Sequence, residues 1–263
     1  MLSILLIAAG AILETLFIMQ SYRRRDVASI ILKTTASLLF VLLGIHCTRL
    51  RGQSVYALYV VIGLALGMLG DLLLALRYLS KKTHDLCFVS GTLAFFAGHV
   101  LYILAVLTAA PRAWTYAIPI TLVALAVAGF YSHAMEVKAG KIMPLGVIYI
   151  GCVIFVAACS LTGVLLTSDR ALFMFFLGGL CFSLSDNMLV VLSFGRNDSP
   201  YRNAVLHVLY YMAQIFIALS ILFYTPVSYT HLDVYKRQAR GSSCRPTPPG
   251  ASAPRCRTDR TAR

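Results

Sequence analysis

Charged side chains are scarce in this chain. Ten Asp and Glu are spread over 263 residues, and charged residues of both signs make up 13%. Soluble domains carry roughly 25%, so a water-soluble globular protein is excluded. The seven Cys include no CxxC pair, which indicates neither a disulfide framework nor a zinc site. Cys47, Cys87, Cys152, Cys159 and Cys181 fall in or at the ends of apolar runs and read as small packing residues. No HExxH spacing occurs, and Ser160, Ser183 and Ser193 sit in no nucleophile motif. A metal, a cofactor and a serine hydrolase are therefore not expected. The apolar runs also lack the alternation of transmembrane barrel strands.

What is abundant is apolar length. Hydrophobic residues make up 59% of the chain, and the mean hydropathy is +0.79. Runs of about 20 apolar residues read as membrane-spanning helices. Eight are present, over residues 2–20, 26–46, 55–79, 86–109, 114–135, 142–167, 170–195 and 201–224. The expected fold is an all-α membrane protein, an eight-helix bundle over 1–224 with short loops. The first span has no Lys or Arg before Arg23, carries Glu14 and shows no small-residue cleavage site, so it reads as a retained helix.

Residues 225–263 change character. They hold five of the nine Pro and eight of the 23 Lys and Arg, without apolar periodicity. This composition predicts a disordered basic tail. The stretch from Pro226 to Gln238 resembles a translated adapter read-through, so the tail is left out of the fold and function reading. Among the loops, those after spans 1, 3, 5 and 7 carry ten Lys and Arg, and those after spans 2, 4 and 6 carry four. The positive-inside rule then puts the first set in the cytoplasm and both ends of the bundle outside. The net charge of +13 lies in these loops and the tail, not on a soluble basic face, so no nucleic-acid partner is expected.

Three acids lie inside spans: Glu14, Asp71 and Asp186. A carboxylate in a membrane segment costs roughly 2.5–3.5 kcal/mol on insertion scales and marks a functional site by default. Asp71 and Asp186 sit in similar contexts, Leu-Gly-Asp-Leu and Leu-Ser-Asp-Asn, 115 residues apart. The same offset carries Phe95-Phe96-Ala97-Gly98-His99 onto Tyr210-Tyr211-Met212-Ala213-Gln214. Spans 3–4 and 7–8 therefore read as copies. Four spans per half make the halves parallel, about an axis along the membrane normal. That symmetry predicts the two Asp at one depth, facing a common axis, in the half of the membrane nearer the cytoplasm. Lys33, His99 and Gln214 complete the intramembrane polar set, with Glu14 in the same layer.

These residues in order resemble the YhhN-like family of integral membrane lysoplasmalogenases. The likeness rests on Lys33 in span 2, Gly70-Asp71 in span 3 and Phe95-x-x-x-His99-x-x-Tyr102 in span 4. It continues with Pro144 and Tyr149 in span 6, Ser185-Asp186 in span 7 and Tyr211-x-x-Gln214 in span 8. It covers residues 1–224. Thr34 stands where the family often has Pro, so the proline that would kink the helix there is missing. The resemblance implies hydrolysis of the vinyl ether of lysoplasmalogens to a fatty aldehyde and a glycerophospho-base. Such chemistry needs one carboxylic acid to give a proton and one carboxylate to stabilise an oxocarbenium ion or activate water, as in glycoside hydrolysis. Asp71 and Asp186 are the expected pair, with the acid and the base not assigned. Lys33 is a counter-charge for one Asp or a contact for substrate phosphate. His99 is a proton relay or water orienter, and Tyr102, Tyr149, Tyr211 and Gln214 supply hydrogen bonds. The expected partners are a lysophospholipid substrate and membrane lipids, with no obligate protein partner, in a bacterial inner membrane. A small-solute or proton-coupled transporter is the alternative, because parallel repeats and intramembrane ionisable groups suit transport as well.

Overall fold

The computed structural model describes residues 1–24, 26–79, 82–138, 140–195 and 200–225, and of Lys141 and Pro200 the backbone alone. The tail expected to be disordered lies outside these residues from 226 on, as do Arg25, Lys81 and Arg196 among the loop cations. Eight α-helices fill the described chain: α1 Leu2–Arg23, α2 Val27–Arg51, α3 Val55–Leu76, α4 His84–Ala109, α5 Ala113–Ala134, α6 Met143–Thr167, α7 Arg170–Phe194 and α8 Pro200–Phe223, with a 3-10 turn, Gly140–Ile142, before α6. No strand occurs among the described residues. All eight helices are long and apolar enough to cross a membrane, so the chain is a multi-pass membrane protein.

The helix ends follow from local chemistry. Asp26, Ser54 and Asp169 cap α2, α3 and α7 by accepting the amides of Ser29, Ala57 and Ala171. The Asp26 carboxylate, held by the Ser29 amide, lies below its usual titration range. Span 2 was expected to stop at residue 46, but α2 runs to Arg51. Cys47 to Arg51 contain nothing that breaks a helix, and Arg49 and Arg51 suit its negative end. The stop comes at Gly52, whose φ of 100° is costly for any residue with a Cβ. Pro144 falls in the first turn of α6, where its missing N–H costs no helix bond.

Packing repeats from one half to the other. In the first half α1 packs on α2, α2 on α3 and α3 on α4; in the second α5 packs on α6, α6 on α7 and α7 on α8. The α3–α4 and α7–α8 pairs are the most extensive of all. Glycines permit both. Gly63 of α3 receives the Tyr102 ring, and Gly178 of α7 receives Ile217. A Cβ on Gly98 would lie 3.1 Å from the Gly63 carbonyl oxygen, and one on Gly178 would lie 2.8 Å from that of Ala213. The 115-residue offset maps the residue pairs Gly63–Tyr102 and Gly63–Gly98 onto Gly178–Ile217 and Gly178–Ala213. The halves meet through α2 on α8 and α4 on α6, which exchange under the same relation.

The loop face holding the ends of α1, α3, α5 and α7 is the cation-rich one. The opposite face carries an aromatic cluster. Tyr56 stacks on Tyr224 at 4.3 Å, bonds Ser220 at 2.7 Å and packs on Phe175. Arg51 Nε donates to the Tyr224 carbonyl there.

Candidate active site

All eight helices contribute to one cavity of about 370 Å³ that runs from the cation-rich face to the two aspartates. Asp71 comes from the last turns of α3 and Asp186 from the matching part of α7. Both are almost fully buried, 1% and 5% exposed, yet both line the cavity.

The two carboxyls have unequal partners. Asp71 Oδ1 pairs with Lys33 Nζ at 2.9 Å. Its Oδ2 accepts the Ser37 hydroxyl at 2.5 Å and the Tyr210 hydroxyl at 2.6 Å. Lys33 and Ser37 lie four residues apart, one turn of α2, so both reach Asp71 from one face. Lys33 also sits 5.7 Å from the Phe17 ring centre and 5.9 Å from that of Tyr210. Asp186 accepts a very short hydrogen bond from the Tyr149 hydroxyl, and no Lys or Arg pairs with it among the described residues. Three donors, one of them a cation, converge on Asp71. Asp186 has one neutral donor, the Tyr149 hydroxyl.

Behind Asp71 lies an ordered relay. Tyr102 donates to Gln214 Oε1 at 3.2 Å, Gln214 Nε2 donates to Tyr210 Oη at 3.0 Å, and Tyr210 donates to Asp71. Tyr102 and Gln214 thus reach the site through Tyr210 and do not line the cavity. Tyr210 was not among the residues singled out from the sequence; its neighbour Tyr211 was. Tyr211 turns instead towards α1, where its ring fits the notch at Gly10 near Glu14. The spacing held the signal: Tyr210 and Gln214 are four apart and share a helix face. Ser37 was also missed, although it sits one turn beyond Lys33.

His99 lies outside the cavity lining. One ring nitrogen bonds the Phe95 carbonyl at 2.8 Å, and the other has no hydrogen-bond partner among the described residues. Phe182, Tyr102 and Tyr149 surround the ring at 4.5, 5.7 and 5.8 Å. It supports two tyrosines of the site and does not face the aspartates across the cavity. Glu14, buried on α1, lies 3.7 Å from His207 and within electrostatic range of Lys33 and Asp71. No group of three His, Cys, Asp or Glu able to hold a metal occurs among the described residues.

A family model described as the YhhN family matches residues 28–221, which spans α2 to α8 and every residue that bonds either aspartate. The chain belongs to the YhhN family. This family is associated with lysoplasmalogenase activity. Neither curated proteins nor solved structures gave a significant match. In this YhhN-family chain, Lys33, Asp71, Tyr149 and Asp186 line one cavity, Tyr102, Gln214 and His99 support it from behind, and Tyr211 stands apart.

Proposed function

We propose that the protein hydrolyses the vinyl ether of lysoplasmalogen-type lipids within the membrane. The observation that carries this reading is the pair of carboxyls at symmetry-related positions, facing one cavity with unequal partners. Asp186 gives a proton to the outer vinyl carbon, and the positive charge appears on the ether-bearing carbon as an oxocarbenium ion. Asp71, fixed by Lys33, Ser37 and Tyr210, faces that charge and takes a proton from the attacking water. The hemiacetal then collapses: its hydroxyl proton returns to Asp186, the C–O bond to glycerol breaks as Asp71 passes its proton to the glycerol oxygen, and an aldehyde forms with both carboxyls restored. Fixed charge aimed at a developing cation, away from bulk water, is where such a site gains most of its rate.

The lining is mainly apolar, as expected for a site that takes an alkyl chain. Leu125, Ala128, Leu145, Val147 and Ile150 from α5 and α6 supply a wall for it. Uninterrupted helices among the described residues, where transporters place broken ones, support a reaction chamber over the transporter reading. With the cation-rich face in the cytoplasm, lipid enters from the inner leaflet of a bacterial inner membrane.

The test is aldehyde release from lysoplasmalogen by the purified full chain in detergent. Wild type turns over, while Asp71→Asn and Asp186→Asn each fall by roughly 10²–10⁴-fold, the contribution of a positioned acid or base. Folded wild type without turnover would reject the reading. Active Asn variants would reject the assigned roles. Counterflow in liposomes would favour transport.

A further inference from the structure

Nearer its mouth the cavity carries a charge that the reaction leaves unused. Arg77 is the C-cap of α3 and lines the cavity towards the cation-rich face. Its guanidinium carbon lies 4.7 Å from the Tyr78 ring centre and 5.4 Å from that of Phe88. It donates to the Tyr78 hydroxyl, and its Nε is buried with no hydrogen-bond partner among the described residues. Among the described residues that line this cavity, Asp71 and Asp186 are the only acids. Arg77 is therefore a cation pinned by two rings, and no ion pair holds it among the described residues, although Asp85 lines the adjoining pocket with it. Asn203, His133 and Ser193 share the same end of the cavity.

Spacing gives this cation a use. Arg77 follows Asp71 by six residues, roughly 9 Å of helix rise, and helical side chains lean back towards the N-terminus, here towards the floor of the cavity. In a lysophospholipid only the three glycerol carbons separate the sn-1 ether oxygen from the phosphate ester. With the ether at the aspartates, the phosphate arrives level with Arg77. A guanidinium is the side chain best matched to phosphate oxygens. We infer that Arg77 binds the phosphodiester of the lipid, so that the site selects glycerol ethers that carry a phosphorylated head group. The position of the ether rests on the hydrolase reading; the anion site rests on Arg77 itself.

The two are tested apart with ligands that cannot be hydrolysed. Binding of a 1-O-alkyl lysophospholipid and of the matching 1-O-alkylglycerol is measured on the purified full chain in detergent. Wild type prefers the phospholipid, and Arg77→Gln loses roughly 10- to 100-fold for it, the size of a hydrogen bond to a charged group. The same variant keeps its affinity for the alkylglycerol, which also shows that it is folded. Arg77→Lys keeps part of the preference, and Arg51→Gln, at the opposite face, keeps all of it. An unchanged preference in Arg77→Gln overturns the assignment, and so does an equal loss for both ligands. Millimolar inorganic phosphate that displaces the phospholipid from wild type but not from Arg77→Gln overturns the lipid as the source of the anion. Wild type that binds by this pattern yet releases no aldehyde from the vinyl lipid sinks the hydrolase reading and leaves the Arg77 site standing. Turnover with an unaltered head-group preference in Arg77→Gln does the reverse.

Discussion

Replacing Tyr210 by Phe tests the site where its two halves differ most. The Tyr210 hydroxyl donates to Asp71 at 2.6 Å and accepts from Gln214 at 3.0 Å. The ring packs edge-on against Phe182 at 5.4 Å, Phe95 at 6.1 Å and Phe40 at 6.3 Å. Phe95 itself occupies the corresponding position in the first half, so a bare phenyl ring suits that packing. The substitution therefore removes one oxygen and little else. A hydrogen bond to a buried charged group contributes roughly 1.5–3 kcal/mol, and the fully buried Gln214 amide, left without its acceptor, adds a further cost of roughly 1–3 kcal/mol. Lys33 and Ser37 still hold Asp71, so the ion pair survives. The expected outcome is a stability loss of about 2.5–6 kcal/mol in detergent unfolding. If the whole bond to Asp71 is expressed at the transition state, kcat for aldehyde release falls roughly 10- to 150-fold. Combined with Asp71→Asn, the losses are non-additive by about 1–3 kcal/mol, as for residues in one network. Tyr211→Phe leaves turnover intact, because that side chain faces α1. Full stability and activity in Tyr210→Phe, additivity with Asp71→Asn, or an equal loss in Tyr211→Phe would each refute the relay.

Lys33→Met leaves the Asp71 charge buried without its partner and costs about 3–5 kcal/mol; adding Asp71→Asn recovers much of that loss in the same unfolding measurement. Gly178→Val drives a branched side chain into Ile217 and the Ala213 carbonyl, 2.7 and 2.8 Å from the first added carbon, and lowers stability by about 1–3 kcal/mol. Gly129→Ala, with nothing within 4 Å of the new methyl, is neutral or stabilising by thermal unfolding. The Asp26 carboxyl, lowered by its bond from the Ser29 amide, contributes to the α2 cap above the unfolded value of about 3.9 and loses that contribution as pH falls through its lower folded value. The Ser29 amide resonance followed down to about pH 2 reports the change, and Asp26→Asn flattens the profile, since Asn caps without titrating.

Helix content and limits were legible because a lipid phase leaves the backbone few choices: an apolar run of spanning length must be helical, and its ends fall where polar caps begin. The one sizeable misplacement, at the end of α2, arose where the chain turned polar before it met a residue able to stop a helix. The acids and Lys33 were legible because ionisable groups in apolar runs are costly. Their hydrogen-bond partners were less so. Ser37, Tyr149 and Tyr210 are ordinary helix residues whose roles depend on rotation. Tyr210 and Tyr211 differ by about 100° around α8, and only the packing of α8 against α2, α3 and α1 decides which hydroxyl reaches Asp71. Arg77 read as one more loop cation until Phe88 and Tyr78 fixed it at the cavity mouth.

The sequence by itself determined the solvent, the number of spans, the internal duplication and the ionisable groups that membrane burial makes expensive, because each follows from composition and period along one chain. Tertiary structure decided which of the duplicated positions diverged: the first half gives Asp71 a lysine, a serine and a tyrosine borrowed from the second, and Asp186 receives one tyrosine from its own half. That asymmetry arises from how helices distant in sequence are turned towards one another, and residue spacing within a helix carries no information about its rotation against a neighbour.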